Sequence, residues 1–220
     1  MRMSILIFDG FTALDVVGGY ESLARIPGIQ VDFVAKEPGI IAADTRALGL
    51  YAWKNLNEAE GSDIIYVPGG PGGNAVQRDE EVCAFLRSAH EKSRWTVGVC
   101  NGVEILATAG ILRGVEVTTN YFARERVQAL GATVLKKRYH RDGKVITGAG
   151  VSASADAGLF LLREIVGEEA AEVIQVGIEY YPEPPFGSRT IDEASDRAKK
   201  IISSYEERAE QVLAQTPRRF

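Results

Sequence analysis

Short apolar runs of strand length alternate with helix-period segments through the first half of the chain, and this alternation narrows the fold more than any other feature. Residues 3–8 read as a buried first strand and 14–25 as the helix after it. Residues 29–35 and 63–67 are further strands, the second ended by Pro68-Gly69-Gly70. Residues 79–92 place Val82, Phe85, Leu86 and Ala89 on one helical face, with Asp79 as N-cap. Residues 95–99 form another strand, and 102–109 a helix stopped by Gly110. Strands separated by helices pair in parallel, so the expected fold is a single-domain α/β, mostly parallel, doubly wound sheet with helices on both faces. The second half reads as a short strand at 115–119, a helix at 121–130, a strand or hairpin region at 133–146, and two helices, 152–166 and 168–178, broken at Gly167. The proline-rich stretch 181–188 is expected to be extended, and 190–214 to be a charged helix with a thin apolar stripe. Residues 1–187 are thus expected to form the α/β domain, and 188–220 a charged helical extension lying on it or on a partner subunit.

With 220 residues and 45% hydrophobic content, the chain can bury one sizeable core. Its net charge of -5 is spread along the chain without a basic patch, which argues against a nucleic-acid partner. No apolar run approaches the roughly 20 residues that cross a bilayer, and the first residues lack the apolar region of a signal peptide. A cytoplasmic protein without membrane attachment is expected. Two cysteines suit a reducing compartment. Two histidines are too few for the usual zinc site, so no metal and no cofactor is expected. His140 reads as an exposed strand residue beside an Asp142-Gly143 turn, and His90 as a helix-end residue that helps satisfy the last carbonyls.

The stretch Gly98-Val99-Cys100-Asn101-Gly102 carries the most chemistry. A strand runs into G-x-C-x-G and a helix starts at once, which is a nucleophile elbow with cysteine in the serine position. The helix N-terminus is expected to lower the thiol pKa. A small buried hydrophobe closing a core strand is the alternative, and it is the better reading for Cys83, which has no such setting. The loop 67–74 lies at a strand's carboxyl end, where ligands bind in open α/β sheets. Its Gly70 N–H and that of Asn101 are the candidate oxyanion donors. A phosphate loop and a plain turn are the other readings, although G-x-x-x-x-G-K-[ST] is absent. Asp15 stands among Leu14, Val16 and Val17, where a carboxylate must be exposed or partnered.

Together these segments resemble the ThiJ/PfpI superfamily, whose fold is similar to that of the class I glutamine amidotransferases, and within it the isocyanide hydratase branch. The likeness runs through Leu14-Asp15, 67–70, Val99-Cys100 with Gly102, Ala109-Gly110, Thr118-Thr119, Arg141-Asp142-Gly143 and the proline-rich segment 179–186. The resemblance implies that Cys100 is the nucleophile, Asp15 its acidic partner, and the protein a homodimer acting on a small molecule. Peptidase-type members carry His directly after the cysteine; Asn101 stands there, which removes the Cys–His pair. The hydratases have Thr at that position and His after the Thr-Thr pair, where this chain has Asn101 and Asn120. Both asparagines are therefore candidate substrate-binding residues.

Two functions from different classes follow. One is a hydratase that adds water to an isocyanide through a Cys100 thioimidate, with Asp15 as general acid and base and its pKa raised by burial; water addition to small reactive carbonyls, as in glyoxalases, is its variant. The other is a non-catalytic redox sensor that uses an exposed, acidic Cys100 thiol.

Overall fold

The computed structural model describes residues 1–187 and 189–217. Five strands pair in parallel, all but the edge strand β2 buried on both faces: β1 (Arg2–Leu6), β2 (Gln30–Val34), β5 (Ile64–Val67), β6 (Trp95–Val99) and β10 (Val145–Gly148). They form a six-stranded sheet in the order β2-β1-β5-β6-β10-β9, closed at one edge by antiparallel β9 (Tyr139–Asp142). Such runs hold apolar side chains because helices cover both faces. Gly143, at φ 57°, makes the turn between β9 and β10 beside Asp142, as the sequence suggested.

The chain leaves β1 toward β2 through α1 (Ala13–Leu23), but leaves β5 toward β6 through α2 (Gly73–Gln77) and α3 (Glu80–Lys92). These opposite directions put the topological switch point between β1 and β5, where open α/β sheets bind ligands. The α3 helix begins at Asp79, whose carboxylate accepts the Glu81 N–H at 3.1 Å, a cap worth about 1 kcal/mol. Its buried face is Val82, Cys83, Phe85, Leu86 and Ala89. α4 (Gly102–Thr108) follows β6, then come β7 (Glu116–Val117), a 3-10 turn at Tyr121–Ala123, α5 (Arg124–Ala129) and β8 (Thr133–Val134), the last paired with β7.

The opposite face is built by α1 against α6 (Ala153–Val166). They approach closely because the contact is made of small residues. A Cβ on Gly158 would lie 2.9 Å from the Gly19 Cα, and one on Gly18 would lie 2.1 Å from the Ser154 Oγ. α7 (Glu168–Gly177) follows after Gly167, and α8 (Asp196–Gln215) ends the described chain.

Three local readings change. The hairpin of β3 (Gly39–Ala42) and β4 (Gly49–Ala52) was not evident in the sequence, and α2 begins inside the stretch read as a glycine loop. The last helix starts at Asp196 rather than 190, behind a separate 3-10 turn at Ile191–Glu193 capped by Thr190. The proline-rich stretch carries no helix or strand; its last residue, Ser188, lies outside the described residues, as do 218–220 of the extension.

Candidate active site

The loops that leave the carboxyl ends of β1, β5 and β6 are joined to one another. The Thr12 N–H donates to the Gly69 carbonyl at 2.8 Å, and the Gly72 N–H donates to the Gly10 carbonyl at 3.2 Å. Cys100 is the first residue beyond β6 and has φ 58°. For a side chain with a Cβ, this left-handed conformation costs about 1–2 kcal/mol. The surroundings enforce it: the Cys100 N–H donates to the Gly148 carbonyl at 3.0 Å, and the Thr119 hydroxyl donates to the Cys100 carbonyl at 2.8 Å. The flanking glycines are there for space. A Cβ on Gly102 would fall 2.3 Å from the Val67 oxygen, and one on Gly98 would fall 2.8 Å from the Leu106 Cδ1. The elbow is built as the G-x-C-x-G pattern implied.

Asp15, in the first turn of α1, is 0% exposed. Its Oδ2 accepts the Gly69 N–H at 2.9 Å, and its backbone carbonyl accepts the Tyr66 hydroxyl at 2.7 Å. Burial pushes the carboxyl from its usual 3.8 up to about 7, against the opposing effects of the Gly69 N–H and a side-chain hydrogen bond with Cys100. Oδ1 is buried with no partner of regular hydrogen-bond geometry. The acid and the thiol predicted from separate motifs are thus brought together.

The expected low thiol pKa is not what the site produces. Cys100 is 7% exposed, and burial, followed by the adjacent Asp15, drives the thiol well above its ordinary value. The Asn101 N–H and the Asn120 side chain pull the other way. Desolvation outweighs the dipole because α4, at seven residues, is short and the sulfur has left solvent. Cys100 and Asp15 form a coupled pair that passes from two protons to one near neutral pH.

The three other candidates separate. Asn120 does reach the sulfur: its Nδ2 donates to Cys100 Sγ at 3.2 Å, while its Oδ1 caps the following turn by accepting the Ala123 N–H at 2.9 Å. The Asn101 side chain does not turn toward substrate. It clasps Gly70, accepting the Gly70 N–H at 2.7 Å and donating to the Gly70 carbonyl at 3.0 Å. This engages the N–H assigned to an oxyanion hole, so Gly70 is a clasped backbone position rather than a free donor. Asn101 contributes its backbone N–H to the sulfur instead.

Sequence reasoning missed Tyr66, Thr119 and Glu104. The first two hold the backbones of Asp15 and Cys100. Glu104 is buried on α4 and pairs with Arg126 on α5 through hydrogen bonds of 2.7 and 3.0 Å. A carboxylate in an otherwise apolar helix, G-V-E-I-L, was the available signal. The histidines lie elsewhere. The His90 Nδ1 bonds the Thr96 hydroxyl at 2.8 Å, and the helix-end carbonyls attributed to it are met by the Lys144 ammonium. His140 is less exposed than expected, with Nε2 3.2 Å from Glu116. Among the described residues, no group of three His, Cys, Asp or Glu side chains could hold a metal ion, and no helix is long and apolar enough to cross a membrane.

Residues 1–164 match the model of the DJ-1/PfpI family. The chain belongs to that family. An isonitrile hydratase of Pseudomonas putida is 33% identical to it over 222 aligned positions, gaps included, that cover 97% of each chain. The crystal structure of a ThiJ/PfpI family protein from Pseudomonas syringae superposes with a TM-score of 0.89 at 27% identity, over 96% of this chain and 90% of that one. Drosophila melanogaster DJ-1beta shares the fold at a TM-score of 0.73 and 20% identity, over 81% and 97% of the two chains. The similarity to the isonitrile hydratase spans nearly the whole DJ-1/PfpI chain.

Proposed function

We propose that this DJ-1/PfpI protein is a cysteine-dependent hydratase that converts an isocyanide, R–N≡C, to the formamide R–NH–CHO. The observation that carries the reading is the pairing of a buried Asp15, with pKa about 7, and the Cys100 thiol. The isocyanide carbon has no leaving group, so sulfur attack must be accompanied by protonation of that same carbon. Asp15 takes the thiol proton as the C–S bond forms and returns it to the carbon, giving the thioimidate R–N=CH–S–Cys100. Water then adds to that carbon, with Asp15 taking its proton and passing it to nitrogen. C–S cleavage releases the formamide, and the hydroxyl proton returns to the thiol pair through Asp15. The Asn120 amide and the Asn101 N–H stabilise negative charge on sulfur whenever it is attacking or leaving. The near full-length similarity to an isonitrile hydratase supports the substrate class.

A sensing role has less support. A thiol with little exposure and a raised pKa presents little thiolate to peroxide. The test is a turnover screen of purified protein against aryl and alkyl isocyanides and methylglyoxal, with Cys100→Ala as control. Formamide production that depends on Cys100 supports the reading. Inertness toward every isocyanide together with hydration of methylglyoxal moves the protein to carbonyl chemistry.

A further inference from the structure

The charged C-terminal helix is anchored at two points, on the loop that leads to Asp15 and on the Arg126–Glu104 pair beyond Cys100. At one end, the buried Arg46 donates through Nη2 to the Leu213 carbonyl at 3.2 Å, while its Nη1 pairs with Asp9. A cation under the last carbonyls of a helix is favourably placed against the helix dipole. The Leu213 side chain is buried and fills the space above Gly10, where a Cβ would lie 2.4 Å from its Cδ2. Gly10 belongs to the loop between β1 and Asp15. Toward the other end, Arg126 holds Glu104 by two hydrogen bonds, and its Nη2 lies 3.7 Å from Glu206 Oε1. Glu104 is one turn beyond Cys100 on α4, and α5 follows the turn that Asn120 caps. From Glu206 to Leu213 a helix advances about 10 Å, so the two anchors stand that far apart along α8.

We propose that α8 is the roof of the Cys100 site and that Glu206 makes the roofed pocket discriminate against anionic substrates. The ionisable groups facing this region are Asp15, Asp44, Glu104, Arg126, Glu206 and Glu210, with Arg46 paired to Asp9 at the Leu213 end, so carboxylates outnumber cations. Arg126 is already committed to Glu104, at hydrogen-bond distance, and is farther from Glu206. The Glu206 charge reaches the sulfur, where it adds to the effects raising the thiol. A substrate carrying a carboxylate would meet that charge at the sulfur, whereas a neutral one would not.

Alkylation of Cys100 tests this without any catalytic assumption. Iodoacetamide and iodoacetate both lose iodide to the thiolate and differ only in charge, so the ratio of their rates cancels the thiolate fraction. At pH 8 and low salt, that ratio at Cys100 is expected to exceed the ratio for a small free thiol. Glu206→Gln should lower it at least about threefold, and added salt should shrink the difference. Leu213→Asp, which undocks the helix end, should accelerate both reagents together. An unchanged ratio in Glu206→Gln overturns the charge role; unchanged rates in Leu213→Asp overturn the roof. A protein inert toward isocyanides would leave both measurements meaningful, because they require only a reacting thiol.

Discussion

The two cysteines of this chain share more than their sequence settings suggest. Cys83 on α3 is 3% exposed and Cys100 is 7% exposed, and burial raises the pKa of both thiols. Acidity does not distinguish them. Cys83 sits on a regular helix with its sulfur 3.7 Å from the Gln77 carbonyl, and the nearest charges, Glu80, Arg87 and Asp79, include no buried acid. Cys100 has a left-handed backbone, two N–H donors at sulfur, and a carboxyl whose pKa lies near neutrality. On the proposed reading, the nucleophile is not a thiolate at rest. It needs a partner that can take its proton during attack and donors that meet the charge which develops.

The largest expected effect separates the cysteines directly. Cys100→Ala should reduce isocyanide turnover to background, a loss of more than about 10⁴-fold, because the covalent route disappears. Cys83→Ala should keep kcat/KM within about twofold while costing roughly 1 kcal/mol of stability for the vacated volume. Comparable losses of turnover in the two variants would erase the distinction.

Removing the acid should come next in size. Asp15→Asn is expected to lower kcat roughly 10²–10⁴-fold. Its effect on stability has the opposite sign. The folded carboxyl holds its proton to about pH 7, whereas the unfolded one loses it near 3.8, so wild-type stability falls as pH rises between those values. Asn carries no such cost, and Asp15→Asn should be more stable than wild type at pH 8, by up to about 4 kcal/mol. The advantage should vanish below pH 4. Urea titrations at the two pH values measure it, and a variant less stable than wild type at pH 8 would show that Asp15 is a structural carboxylate.

The pH profile sharpens the same contrast with a smaller effect. The pair is competent when it holds one proton, so kcat/KM should rise about tenfold per pH unit below about 7 and level off above it. The decline from loss of the second proton should come only beyond the ordinary thiol range, because the Cys100 pKa is raised. No histidine should contribute: His90 and His140 bond Thr96 and pair with Glu116, away from the sulfur.

The smallest effect concerns the clasp. Asn101→Thr would restore the hydratases' residue, and the sequence alone suggests that it should preserve or improve turnover. The structure changes that expectation, since Asn101 meets the N–H and the carbonyl of Gly70 with two separate atoms, while a threonine hydroxyl is a single atom on a shorter side chain and does not span both. A loss of about 1–2 kcal/mol in thermal unfolding is expected, with activity altered less than in Asp15→Asn.

Strand-to-helix alternation and the elbow at Cys100 were legible in the sequence because each is written in consecutive residues: apolar runs, and glycines two before and two after the cysteine. An acid among aliphatics left Asp15 either exposed or partnered, and its place beside the thiol came from resemblance. Asn120 was legible only through resemblance. The β3–β4 hairpin was not, since its short strands, Gly39–Ala42 and Gly49–Ala52, lack an alternating pattern long enough to read. The true neighbours of His90 and His140 were hidden as well, because Thr96 and Glu116 reach them through tertiary contact.

The sequence by itself therefore determined the layered α/β fold and the strained turn at Cys100, which follow from local steric demand and hydrophobic periodicity, while the pairing of Cys100 with Asp15 was implied only by resemblance. The tertiary structure alone decided which donors remain available to a reacting group, which thiol state prevails and what covers the site. Hydrogen-bond occupancy and desolvation depend on atoms tens of residues away: Asn101 engages Gly70 across 31 positions, and Arg46 reaches Leu213 across 167. The helix N-terminus favoured an acidic cysteine. Enclosure of its sulfur beside a buried carboxyl produced the opposite, because removal from water acts more strongly on a charge than the dipole of a short helix.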